Sequence, residues 1–257
     1  MTREIWSATS GDTGRHVVLV HGSLDRSAGL LKLGRRLDEQ FVVTRYDRRG
    51  YGRSAPHPGP FGIDDQVDDL VGVIASSGGD TAPVVVVGHS YGGNVALATA
   101  DRHPGLVAGI VTYEPPLSWE AWWPQNSAGG DAVHHQGDPH DAAERFMRRL
   151  IGDERWDRLP PSTRAARRSE GPAMVGELSD LRQRPAWRAD RIHVPVLALR
   201  GEFGHEHHRS GVEALDRMLP DVELGVVAGA RHFGPNTHPD DVAARVVEFV
   251  SSRMPAG

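Results

Sequence analysis

The segment Gly88-His89-Ser90-Tyr91-Gly92 sets a serine hydroxyl among small residues. A hydroxyl is a weak nucleophile until a base takes its proton, and flanking glycines permit the sharp turn that holds it clear of the backbone. Gly-x-Ser-x-Gly alone recurs by chance, so its surroundings decide its meaning. The run Val84-Val85-Val86-Val87 precedes it and a helical pattern follows over 91–100, giving the strand, turn and helix of a nucleophile elbow. There the helix N-terminus favours developing negative charge, and the Tyr91 N–H is placed to bind a tetrahedral oxyanion. The chemistry so prepared is nucleophilic attack by Ser90 with an oxyanion held beside it.

The elements that must position this serine are read from periodicity. Continuous β-branched or apolar runs at 16–20, 41–47, 83–87, 107–113, 194–200 and 222–227 have the length of buried strands. Helical spacing at 30–40, 63–77, 91–103, 210–219 and 240–253 alternates with them. The expected class is α/β, a mostly parallel central sheet with helices on both faces. Residues 117–191 break the rhythm with a loop-like stretch at 125–141 and helical runs near 142–151 and 162–181. They read as a helical cap inserted into a core of 1–116 and 192–257. Five of the six tryptophans, Trp119, Trp122, Trp123, Trp156 and Trp187, fall in or beside that insertion. They either fasten the cap to the core or line an apolar pocket, for which Trp119, Trp122 and Trp123 are the candidates together with Leu24.

His21-Gly22, Asp47-Arg48-Arg49-Gly50-Tyr51-Gly52-Arg53-Ser54, Gly88-His89-Ser90-Tyr91-Gly92-Gly93 and Gly229-Ala230-Arg231-His232-Phe233 resemble, in that order, the α/β-hydrolase superfamily. The resemblance implies that fold and a serine hydrolase acting on a carboxylic ester or lactone. Carbon–carbon bond hydrolysis, acyl transfer and perhydrolysis are alternatives in the same pocket, and a non-catalytic ligand receptor is an alternative on the same scaffold. It also implies the base, His232, in the loop after the last strand. His238 is the rival, better suited to the start of a helix. A second oxyanion donor is implied in the loop after the early strand, at the Ser23 N–H with Leu24 as alternative, His21 being a loop-fixing residue.

The acid departs from the pattern. Most relatives carry Gly-x-x-Asp after the penultimate core strand, whereas this chain reads Gly201-Glu202-Phe203-Gly204. Glycine cannot orient an imidazole. Glu114, at the end of the strand over 107–113 and followed by two prolines, is the favoured acid, as in zearalenone-lactonase-like hydrolases, with Glu202 or Glu206 as alternatives. Asp47 is expected to hold its loop by pairing with arginine.

Composition narrows the remaining classes. A net charge of −5 gives no reason to expect nucleic acid, and with no cysteine there is neither disulfide nor thiolate chemistry. The start Met1-Thr2-Arg3-Glu4-Ile5-Trp6 lacks a signal-like apolar run, and no stretch has the length of a membrane span. A soluble, cytoplasmic protein acting on a small molecule is expected, without membrane partner or cofactor. His205-Glu206-His207-His208 invites a metal reading, but without a matching third cluster it reads as a solvated helix start and no metal is assigned.

Overall fold

A computed structural model describes residues 4–78, 82–134 and 137–254. Met1, Thr2 and Arg3 of the N-terminal segment, and His135 and Gln136 of the stretch read as a loop, lie outside the described residues. Seven strands, β1 (Ser7–Ser10), β2 (His16–Val20), β3 (Val42–Tyr46), β4 (Val84–His89), β5 (Val107–Tyr113), β6 (Val196–Gly201) and β7 (Val222–Val227), form one sheet in the order β1-β3-β2-β4-β5-β6-β7. All pairings are parallel except β1 with β3. The edge strand β1 escapes sequence reading because Ser-Ala-Thr-Ser has no apolar alternation. It is held by its ladder and by the Thr9–Thr44 hydroxyl pair at 2.8 Å.

The helices are α1 (Leu31–Leu37), α2 (Ile63–Ser76), α3 (Tyr91–Arg102), α4 (Ala128–His134), α5 (Pro139–Ile151), α6 (Asp153–Asp157), α7 (Pro161–Ser169), α8 (Gly171–Gln183), α9 (Glu206–Met218), α10 (Gly234–Thr237) and α11 (Pro239–Arg253). Alternate residues of one strand feed two cores, as a two-residue period demands. Val18, Val20, Val84 and Val86 pack with α2 and α3 on one face, while Val17, Leu19, Val85 and Val87 pack with α1 and α11 on the other.

The segment between β5 and β6 holds α4 to α8. Two expectations change here. α4 lies within the stretch read as a loop. Its Ala-Gly-Gly-Asp sequence has low helix propensity, so packing carries it: Ala132 is buried, and a Cβ at Gly130 would collide with the Gln125 carbonyl. The single helix expected over 162–181 is instead α7 and α8, because Pro172 lacks the N–H needed to continue a helix and suits a first turn.

Chain connections run from β2 to β3 on one side and from β4 to β5 on the other, so the carboxyl ends of β2 and β4 border a crevice at the switch in strand order. A buried ion pair ties the inserted helices to this region. Arg48, after β3, and Glu177, on α8, are both fully buried, with Nη1 to Oε2 at 2.6 Å and Nη2 to Oε1 at 3.2 Å. Tyr51 donates its hydroxyl to the same carboxylate at 2.7 Å, and the guanidinium lies between the rings of Tyr51 and Tyr91. Removing one partner leaves an uncompensated buried charge. Glu177→Ala is expected to destabilise the fold by about 3–5 kcal/mol, read from the urea midpoint; a loss below about 1 kcal/mol would show the pair to be dispensable.

Candidate active site

Ser90 follows the last residue of β4 and immediately precedes α3, with φ 53° and ψ −123°. That strained conformation is locked from both sides. Its N–H donates to the Tyr113 carbonyl at 2.8 Å, and its carbonyl accepts from the Gly93 N–H at 2.8 Å. A Cβ at Gly88 would strike the Gly92 carbonyl, and one at Gly92 would strike the Val20 carbonyl. Tyr91 opens α3, so its N–H has no acceptor a turn earlier in that helix. Across the crevice, a Cβ at Gly22 would come within 3.0 Å of the Ser90 Cβ, which brings the Gly22-Ser23-Leu24 loop against the serine. His21 fixes that loop: its Nε2 accepts from the Arg48 N–H at 2.9 Å and its Nδ1–H donates to the Gly22 carbonyl at 2.8 Å. Leu24 is buried.

Glu114 follows β5, fully buried, at φ 49°. Its Oε2 lies 2.8 Å from His232 Nδ1, and its Oε1 accepts from the Gly201 N–H at 2.9 Å. The structure therefore brings Glu114 to His232, which lies in the loop that follows β7. Glu202 instead accepts from the Gly229 N–H and is exposed, as is Glu206, while His238 caps α11 beside the Thr237 hydroxyl. Gly204 explains the missing aspartate: a Cβ there would collide with Glu114 Oε1, so the carboxylate from β5 fills the space a side chain at 204 would need. The expected arginine pairing of Asp47 is corrected. Its carboxylate accepts backbone N–H groups, from Ser27 at 2.7 Å and Arg53 at 2.9 Å, because neighbouring Arg48 and Arg49 turn to Glu177 and Asp69.

Sequence reading missed three residues. His89 donates from Nε2–H to the His232 carbonyl at 2.8 Å, and Tyr113 donates its hydroxyl to the Arg231 carbonyl at 2.8 Å. Both anchor the loop carrying His232, and their signal was adjacency to Ser90 and Glu114 at strand ends. The third is His208. The reading of 205–208 as a solvated helix start is overturned at this residue, which is 8% exposed and stacks on His232 with ring centroids 4.4 Å apart and planes 17° apart. Its spacing to Gly211, Val212 and Leu215 marks the inward face of α9.

Trp123 is buried against His207 and His208, at 4.9 and 5.5 Å. Trp119 packs edge-on against Trp187, whose indole N–H donates to Asn94, so this pair ties the segment between β5 and β6 to α3. Trp122 is exposed and touches Trp123. Burial, and then neighbouring histidines, depress the imidazoles of this wall, His89 to about 3 and His207 to about 4, from an ordinary 6.5.

Two expectations follow. Histidines held neutral in the fold are protonated more readily in the unfolded chain, so stability present above pH about 6.5 is lost as the pH falls towards 3. The thermal midpoint measured against pH reads this, and a midpoint constant from pH 7 to 4 contradicts it. Gly204→Ala should lower that midpoint in the native background and do so less in Glu114→Ala, a double-mutant cycle with coupling of about 0.5–3 kcal/mol; strictly additive losses would separate the two positions.

The alpha/beta hydrolase family matches residues 17–245. The lipase LipV of Mycobacterium tuberculosis is 35% identical over 89% of this chain and 90% of its own length. The 2-(acetamidomethylene)succinate hydrolase of Mesorhizobium japonicum is 26% identical over 93% of this chain and 89% of its own. Among solved structures, a thermophilic esterase from Thermogutta terrifontis is similar with a TM-score of 0.76 at 23% identity, covering 96% of this chain and 93% of that one, a likeness of fold alone. Among the described residues no helix is long and apolar enough to cross a membrane. By the extent of the family match and its identity to the mycobacterial lipase, the chain belongs to the alpha/beta hydrolase family.

Proposed function

We propose that the chain is a serine hydrolase that cleaves a carboxylic ester or lactone of a small, largely apolar molecule through an acyl-enzyme. The observation that carries this reading is the pairing of Glu114 Oε2 with His232 Nδ1 at 2.8 Å, in a loop whose His232 carbonyl is held by His89, the residue before a serine in a strained elbow. With Nδ1–H given to Glu114, the free lone pair of His232 is on Nε2, the nitrogen a general base uses. Ser90 Oγ attacks the substrate carbonyl carbon as its proton passes to His232 Nε2. The oxyanion takes the N–H groups of Ser23 and Tyr91. Collapse breaks the bond to the alkoxy group, which leaves with the proton from Nε2. Water, deprotonated by His232, then attacks the acyl carbon and returns Ser90. Leu24 and Trp123 supply the apolar surface for the acyl group.

Ser90→Ala is expected to lower turnover of a chromogenic short-chain ester by about 10⁶-fold while remaining folded, and Glu114→Gln by about 10³- to 10⁴-fold. A fluorophosphonate should label Ser90 and leave Ser90→Ala unmodified. A Ser90→Ala protein that hydrolyses esters at the native rate, or a native protein inert to the probe, would end this reading.

A further inference from the structure

We propose that Glu114, His208 and His232 form a binding site for a borderline divalent transition cation, typified by Zn²⁺, and that its occupation switches the serine site off by capturing His232. The three residues, just after β5, on α9 and in the loop after β7, each bring one donor atom within 4.8 Å of the others. Two imidazoles and a carboxylate are a ligand set that such a cation prefers, and bonds of about 2.0–2.2 Å leave an open fourth position when three protein ligands are present.

A second observation points to a ligand. Nδ1 of His208 is buried and, among the described residues, has no hydrogen-bond partner, although buried polar atoms are ordinarily satisfied. A cation bound through that nitrogen would satisfy it. Donors of one tetrahedral cation stand about 3.3 Å apart, so the His208 ring must tip from its 17° stack on His232 to close the site. The rest is in place. Glu114 is already oriented by the Gly201 N–H through its other oxygen, the support that a ligating carboxylate needs. His205 and His207 are stacked 5.4 Å apart, with His207 4.4 Å from His208.

Bound in this way, the cation takes the Glu114 oxygen that orients His232 and a ring lone pair of His232 itself. The imidazole can then neither be held for Ser90 nor accept its proton. Cation binding does not depend on the serine-hydrolase reading, and only the loss of activity rests on it.

Isothermal titration calorimetry with Zn²⁺ separates the two. The native protein and Ser90→Ala should bind one Zn²⁺ with equal affinity, whereas His208→Phe, which keeps a ring in the stack, and His208→Gln should each bind at least tenfold more weakly. In the native protein, Zn²⁺ should also shift the ring-proton resonances of His208 and His232. Ester turnover, each protein measured against its own zinc-free rate, should fall with Zn²⁺ in the native protein, recover with EDTA, and resist Zn²⁺ in the His208 variants. Equal affinity in both His208 variants, or shifts confined to other histidines, would overturn the site. Saturable binding that leaves turnover untouched would overturn the capture of His232. Binding with the expected His208 dependence in a protein inert to esters would uphold the site and end the hydrolase reading alone.

Discussion

The Glu114 carboxylate is fully buried, and burial of a charge is costly unless its oxygens are bonded. Both are: Oε1 accepts from the Gly201 N–H and Oε2 faces His232 Nδ1. These bonds require β5 to end where β6 and the loop after β7 converge, with residue 204 having no side chain. They also tie Glu114 to its neighbours in sequence. Tyr113 holds the Arg231 carbonyl, and Pro115 crowds the place a side chain at Gly93 would take. The acid and its two neighbours in sequence therefore bear on three other segments of the chain.

Backbone strain lies where the same strands end. Among the described residues the non-glycine residues with positive φ are Leu24, Ser90 and Glu114. They follow β2, β4 and β5, neighbours in the sheet. Such conformations persist only where surrounding structure over-determines them, and here two cores, one on each face, hold the strands that deliver them. The Arg48–Glu177 pair extends that frame to the inserted helices, so the loop beside Ser23 and the helix above it are positioned by one guanidinium.

Strands and helices with strong apolar periodicity were legible. The runs at 107–113 and 222–227 are β5 and β7 to the residue. What escaped has physical causes. The polar edge strand β1 has no apolar pattern, and α4 is carried by tertiary packing. Glu114 was legible as a carboxylate at the end of a strand beside β4, yet the reciprocal fit with Gly204 needed coordinates, because it is a collision between residues 90 positions apart. His208 hid inside a polar run, its inward face visible only through helical spacing to Leu215.

The mutual exclusion of a side chain at 204 and a carboxylate from 114 also makes the two positions a coupled pair. With side chains at both, two groups compete for one volume beside His232; with neither, that volume is empty. A replacement at either position therefore has to be matched at the other if that volume is to be filled once.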